Sequence, residues 1–211
     1  MRVKICGITN RDDALLCQNN GADALGFVFY KKSKRYISPE SVLEISRHLS
    51  PFMLKVGVFV DETPAHINRI SRQAGLHLVQ LHGDEELDMI KHIHVPVIKS
   101  FRVSPGFDFK QLESFRGCKI LLDSWSGSDY GGTGNPFDWT MIPSTLRSQI
   151  ILAGGISLSN IEKIYTTIKP LAVDLSSALE LSPGKKDPAK VAAFLEETRR
   201  LNHHTKTHSA K

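Results

Sequence analysis

A few side chains stand where a short apolar run gives way to polar residues, and their types could together handle protons and a small anion. Cys6 closes the run in KICGIT, Asp123 closes KILLD, and Asp174 lies near the end of LAVDL. A thiol and a carboxyl group in one pocket suit a base and an acid acting on opposite ends of one small substrate. A free thiol ionises near pH 8.5, so it needs a positive neighbour to act as a base, and an aspartic acid needs a raised pKa to hold its proton. For Cys6 the competing reading is a small buried hydrophobe. Cys17 and Cys118 take that reading outright, and three cysteines without metal-ligand spacing argue against a disulfide framework or a zinc site.

Two further stretches look like seats for an anion. In IILAGGIS the apolar run goes directly into Gly154 and Gly155 and then toward a helix expected to be capped by Ser157 or Ser159, so bare backbone N–H groups can approach a phosphate. In AVDLSSALE, Ser176 and Ser177 open a short helical turn. The alternative for the glycine pair is a plain tight turn. Arg35, in KKSKRYIS, offers a planar fork for a carboxylate, or is one charge of an exposed basic loop. His82 in QLHGDE either contacts substrate or bonds backbone. No G-x-x-x-x-G-K-[ST] occurs, so a nucleoside triphosphate is not indicated.

Something must bring these positions together, and the chain has a rhythm that does so. Eight apolar runs recur, from Val3 to Cys6, Ala24 to Phe29, Lys55 to Val60, Leu76 to Leu81, Val95 to Phe101, Lys119 to Asp123, Gln149 to Ala153 and Leu171 to Leu175. Their near-continuous Val, Ile and Leu content suits parallel strands covered on both faces. Between them lie helical segments with readable starts, a polar cap before proline at Ser38-Pro39, Thr63-Pro64 and Asp187-Pro188. Spacings such as Val42, Ile45 and Leu49, or Val191, Phe194 and Leu195, give each helix one apolar face.

Strand then helix, repeated eight times, predicts a single-domain ring of eight parallel strands, the TIM (β/α)8 barrel; 211 residues lie near the lower end of the range of about 200 to 400 that this fold occupies. An open doubly wound sheet is the rival, but it often carries G-x-G-x-x-G after its first strand, where this chain has Cys6-Gly7-Ile8-Thr9. The barrel domain is expected over residues 1–201, with a frayed tail from Asn202 to Lys211. In such a barrel the active site lies at the carboxyl ends of the strands, which makes Cys6, Phe29, Asp61, His82, Phe101 with Arg102, Asp123, Gly154 and Asp174 the candidates. The stretch SWSGSDYGGTGNPFDW after Asp123 is the longest loop and reads either as a lid or as a passive connection.

The net charge of +5 raises nucleic acid as a partner, but the basic residues are scattered and no helix-turn-helix, stacking-aromatic or zinc-knuckle pattern accompanies them. The expected partner is a small molecule, with neither nucleic acid nor membrane. No apolar run reaches about 18 residues and MRVKICGITN lacks the form of a secretory signal, so a cytoplasmic location is expected. Monomer and homodimer both remain open.

In order and spacing, KICGIT, GADALGFVF, SKRYISPE, VGVFV, VQLHG, GGTGNPFDW, LAGGIS and VDLSSALELSPGKKD resemble the phosphoribosylanthranilate isomerase family from Val3 to about Phe194. The resemblance implies a (β/α)8 barrel that carries out an Amadori rearrangement in tryptophan biosynthesis without metal or organic cofactor. It further implies Asp123 as the general acid on the furanose ring oxygen and Cys6 as the general base at sugar C2. Arg35 would then meet the anthranilate carboxylate, Gly154, Gly155, Ser176 and Ser177 the phosphate, and Asp174 groups near the sugar. The chain departs from the family's usual pattern at Leu175, where valine is common, and at Ala178, where glycine is common. At a position requiring positive φ, alanine would cost about 1–2 kcal/mol. The competing functions are a phosphoribosyl-binding barrel without catalysis and a related phosphosugar enzyme. The histidine-pathway isomerase would show aspartates where Cys6 and Phe101 stand, and indole-glycerol-phosphate synthase would want a catalytic lysine at a strand end.

Overall fold

The computed structural model describes residues 1–124 and 137–208. Most of the glycine-rich loop after Asp123, residues 125–136, lies outside the described residues, and with it the reading of that loop as a lid. Eight strands appear where the apolar runs predict them: β1 (Arg2–Cys6), β2 (Ala24–Val28), β3 (Leu54–Phe59), β4 (Leu78–Leu81), β5 (Val97–Val103), β6 (Lys119–Ser124), β7 (Ile150–Leu152) and β8 (Ala172–Leu175). They close into a parallel barrel in sequence order, and β8 returns to β1 with Asp174 opposite Lys4. This is the (β/α)8 ring, and the open-sheet alternative is excluded.

The crossovers contain α1 (Arg11–Asn19), α2 (Pro39–Ser46), α3 (Pro64–Ala74), α4 (Leu87–Ile90), α5 (Ser144–Arg147) and α6 (Ile161–Lys163), and α7 (Pro188–His208) follows the last strand. The three cap-proline signals hold. Ser38 accepts from the Ser41 N–H, Thr63 from that of His66, and the Asp187 carboxylate from those of Ala189 and Lys190. After β5 the crossover is a 3-10 helix over Phe109–Phe115 in place of an α-helix. Past Glu180 the chain adds a hairpin, β9 (Glu180–Ser182) and β10 (Lys185–Lys186), before α7 begins.

Burial divides into two layers. Outside the ring, Val42 and Ile45 of α2, Ile67 and Ile70 of α3, and Val191, Phe194 and Leu195 of α7 pack on the outward strand residues. Each such side chain stabilises the fold by about 1.5–3 kcal/mol through burial. Inside the ring, a smaller cluster built from Ala24, Val56, Ile98, Leu121, Ile151 and Ala153 forms an apolar plug. Alternation along each strand then points the next inward residues, Lys4, Gln80, Ser100 and Asp174, into a polar layer; all four are buried.

The chain does not fray at Asn202. Helix α7 runs on to His208, because its inner stripe continues through buried Thr198 and Leu201. The Asn202 side chain also clasps the N-terminus, its Oδ1 accepting from the Met1 ammonium at 2.8 Å and its Nδ2 donating to the Met1 carbonyl at 3.0 Å. Once the first turns are packed, adding further turns needs little more than propagation. Among the described residues no helix is long and apolar enough to cross a membrane.

Candidate active site

A cavity of about 590 Å³ opens at the carboxyl ends of the strands. That volume falls in the range of about 300–1,000 Å³ typical of small-molecule sites. Cys6, Arg35, Asp123, Gly154, Gly155, Asp174, Ser176 and Ser177 all line it. Of the other strand-end candidates, His82 joins them. Phe29 instead stacks on Phe59 with ring centroids 5.1 Å apart, outside the ring. Asp61 accepts from the Asp84 N–H at 2.7 Å, and Arg102 pairs with the Asp84 carboxylate at 2.8 Å. Phe101 packs edge-on against Phe107 and Phe115.

One wall is bare backbone. Gly154 and Gly155 have φ of 78° and 69°, a region glycine enters without strain. At Gly154 a Cβ would also lie 2.6 Å from Asp123 Oδ1 and collide with Ser124, so the glycine lets β7 pass close behind β6. Asn160 fixes the loop that follows, its Nδ2 donating to the Gly155 carbonyl at 2.8 Å and its Oδ1 accepting from the Ser157 N–H at 2.9 Å. The expected serine cap is therefore absent. The hydroxyls of Ser157 and Ser159 bond to each other, and α6 starts only at Ile161. Beside this loop, Ser177 and Ala178 begin a 3-10 turn over Ser177–Leu179. Ala178 is not among the residues with positive φ, so alanine there carries no backbone strain.

On the acid side, Asp123 Oδ1 accepts from the Ser124 N–H at 2.8 Å, and Oδ2 lies 3.4 Å from His82 Nε2. Gln80 Nε2 sits 3.0 Å from His82 Nδ1. When the amide donates there, the imidazole proton is left on Nε2, the ring nitrogen nearer the Asp123 carboxylate. His82 thus flanks Asp123 as well as lining the cavity.

On the thiol side, burial pushes the Cys6 thiol up, and the Asp174 carboxylate adds to that, while Lys4 and Lys186 pull it down without cancelling the rise. Lys4 Nζ donates to Asp174 Oδ2 at 2.8 Å, and both side chains are over nine-tenths buried. Burial works against the Lys4 ammonium, but Asp174 and Cys6 outweigh it and hold the lysine protonated above its ordinary range. Burial also pushes the Asp174 carboxyl up, partly offset by Lys4.

The sequence reading missed Lys4, Glu180 and Lys186. Glu180 takes the Arg35 fork side-on, with contacts of 2.9 and 3.1 Å from Nε and 2.7 Å from Nη2. Arg35 is thus four-fifths buried and belongs to the cavity wall, not to an exposed loop. Glu180 thus takes the Nε–Nη2 edge and leaves Nη1 as the donor side for a further anion. Fully buried Lys186 donates to Glu180 Oε1 at 2.9 Å and to the Cys6 carbonyl at 2.7 Å, tying the hairpin to the end of β1. The only hint was their place in the KICGIT and VDLSSALELSPGKKD stretches, since a charge of this kind reads as surface until its partner is known.

The chain shares this architecture with known proteins. A family model for N-(5'phosphoribosyl)anthranilate (PRA) isomerase matches residues 3–197. The N-(5'-phosphoribosyl)anthranilate isomerase of Thermotoga neapolitana is 45% identical over 206 residues, covering 95% of this chain and all of the relative. The crystal structure of phosphoribosyl anthranilate isomerase from Thermotoga maritima superposes with a TM-score of 0.87 at 42% identity, covering 94% of this chain and 98% of that one. A second isomerase structure, in complex with reduced 1-(o-carboxyphenylamino)-1-deoxyribulose 5-phosphate, gives a TM-score of 0.84 at 41% identity with the same coverage. On a match that spans nearly the whole barrel, the chain belongs to the N-(5'-phosphoribosyl)anthranilate isomerase family.

Proposed function

We propose that the barrel carries out its family's aldose–ketose isomerisation with Asp123 as general acid and Cys6 as general base. The substrate is N-(5-phosphoribosyl)anthranilate and the product 1-(2-carboxyphenylamino)-1-deoxyribulose 5-phosphate. Asp123 gives its proton to the ring oxygen as the bond from sugar C1 to that oxygen breaks, leaving an iminium at C1. The Cys6 thiolate takes the hydrogen from C2; the C–H electrons form the C1–C2 double bond and the iminium pair returns to nitrogen. The enolamine then gains a proton at C1 and loses one from the 2-hydroxyl, which yields the ketone. A proton taken up at Cys6 and one released by Asp123 leave the enzyme to be reset through solvent.

The remaining residues bind and orient. The phosphate rests on the amides around Gly154, Gly155, Ser176 and Ser177, the anthranilate carboxylate faces Arg35, and Asp174 meets the sugar. The observation that carries this reading is that the thiol, the carboxyl group and the two amide loops line one cavity of substrate size. The enzyme works in the cytoplasm, where tryptophan is made.

Complementation tests substrate and reaction together. Expressed in a tryptophan auxotroph lacking this isomerase, the chain should restore growth, and Cys6→Ser and Asp123→Asn should not. General acid–base groups contribute about 10²–10⁴-fold to rate, enough to abolish growth on minimal medium. Growth with either variant at the wild-type rate would remove that residue from its role.

A further inference from the structure

We propose that Lys4 is a positioning residue for the catalytic base: its buried ammonium, held by Asp174, stabilises the Cys6 thiolate that takes the sugar proton. The inference rests on the reading of Cys6 as the base. Lys4 and Cys6 are two residues apart on β1, so both side chains point into the ring. Asp174 is the register partner of Lys4 across the β8–β1 seam and accepts its hydrogen bond at 2.8 Å. The Lys4 ammonium and the Cys6 sulfur border the same space beside β2, which Gly26 leaves open: a Cβ there would lie 2.7 Å from the sulfur and 3.0 Å from the ammonium nitrogen.

A buried lysine–aspartate pair is a poor stability device, since desolvation offsets most of its attraction and apolar side chains would pack as well. Its place directly below the thiol points to chemistry. Asp174 keeps Oδ1 buried without a hydrogen-bond partner while Oδ2 holds the ammonium, so the carboxylate both anchors Lys4 and presents an open acceptor. The other charges near Cys6 act differently. Lys186, on β10, bonds the Cys6 carbonyl oxygen, and Arg35, after β2, is clamped by Glu180. Lys4 shares the buried space beside Gly26 with the sulfur, and its charge favours the thiolate, which needs such a neighbour. Lys4 stays protonated throughout, and the proton from sugar C2 ends on sulfur.

The test is the pH dependence of iodoacetamide alkylation at Cys6, read by mass spectrometry of its peptide in wild type, Lys4→Met and Lys4→Gln, beside the steady-state parameters. Lys4→Met should raise the alkylation midpoint by about one pH unit or more, because an opposite charge in contact has been lost. Its kcat at neutral pH should fall about tenfold per unit of that rise, with KM nearly unchanged, and should recover as pH increases. Lys4→Gln, whose amide can still bond Asp174, removes the same charge and should raise the midpoint likewise, which keeps the idea open to refutation where Lys4→Met fails to fold. An unmoved or lowered midpoint in either folded variant overturns it. Full turnover in Cys6→Ser would instead overturn the assignment of the base, whatever Lys4 does.

Discussion

Replacing Gly154 by alanine should damage stability and catalysis by separate routes. The residue sits at φ 78°, where an L side chain costs about 1–2 kcal/mol. The new methyl would also stand 2.6 Å from Asp123 Oδ1 and against Ser124, backbone included, so neither neighbour can yield by a simple rotation. In a domain of this size about 1 kcal/mol lowers the melting temperature by about 2–4 °C, which puts the backbone strain alone at about 2–8 °C. Pushing the Asp123 carboxyl by about 1 Å is worth about 10²-fold in rate. Thermal melting by circular dichroism and steady-state kinetics on the anthranilate substrate read the two effects apart. On the proposed roles, displacing Asp123 should lower kcat, and disturbing the amides around Gly154 should raise KM. A Gly154→Ala protein that melts within about 1 °C of wild type and keeps kcat/KM within about threefold would refute the close approach of β7 and β6 described above.

Further outcomes follow from the same geometry. Ala178→Gly should bring no gain, since position 178 is free of positive φ; melting should show a change between nothing and a loss of about 1 kcal/mol. Lys186→Met should cost about 3–5 kcal/mol in urea unfolding, because it removes a fully buried partner of Glu180 and of the Cys6 carbonyl. Burial opposes ionisation of Glu180, but Arg35 and Lys186 outweigh it and hold its carboxyl below the usual range. The stability it contributes is complete above the ordinary glutamate pKa and is lost as pH falls through the depressed value. The gap in unfolding free energy between wild type and Glu180→Gln should therefore be widest near neutral pH and shrink below about pH 4. Cys17, fully buried and pushed up to about 12, should resist alkylation in the native protein and react on unfolding.

Much of the barrel is written in local pattern. Apolar runs with hydrophobic cover on both faces mark all eight strands to within a few residues, and cap-proline pairs mark three helix starts. The differences arise where tertiary contact overrides local signal. The segment Phe109–Phe115 winds as a 3-10 helix, and α7 runs past Asn202, whose side chain clasps the N-terminus. In the site, the rule that chemistry collects at strand ends singles out Cys6, Asp123 and Asp174, and the glycine pair announces the bare wall. It could not single out Lys4, Glu180 or Lys186. Lys4 meets Asp174 170 residues away, and Arg35 meets Glu180 across 145, so burial of those charges is a property of the closed ring and leaves no trace in local spacing.

On the proposed roles, Cys6 and Asp123 move protons in a cavity that other residues shape for binding. Calorimetric titration of the reduced product analogue into Cys6→Ser and Asp123→Asn, run beside turnover on the same preparations, separates proton transfer from binding. Affinities should stay within a few-fold of wild type while kcat falls by about 10² or more. Turnover near wild type in both variants, or binding lost in step with turnover, would remove both residues from those roles.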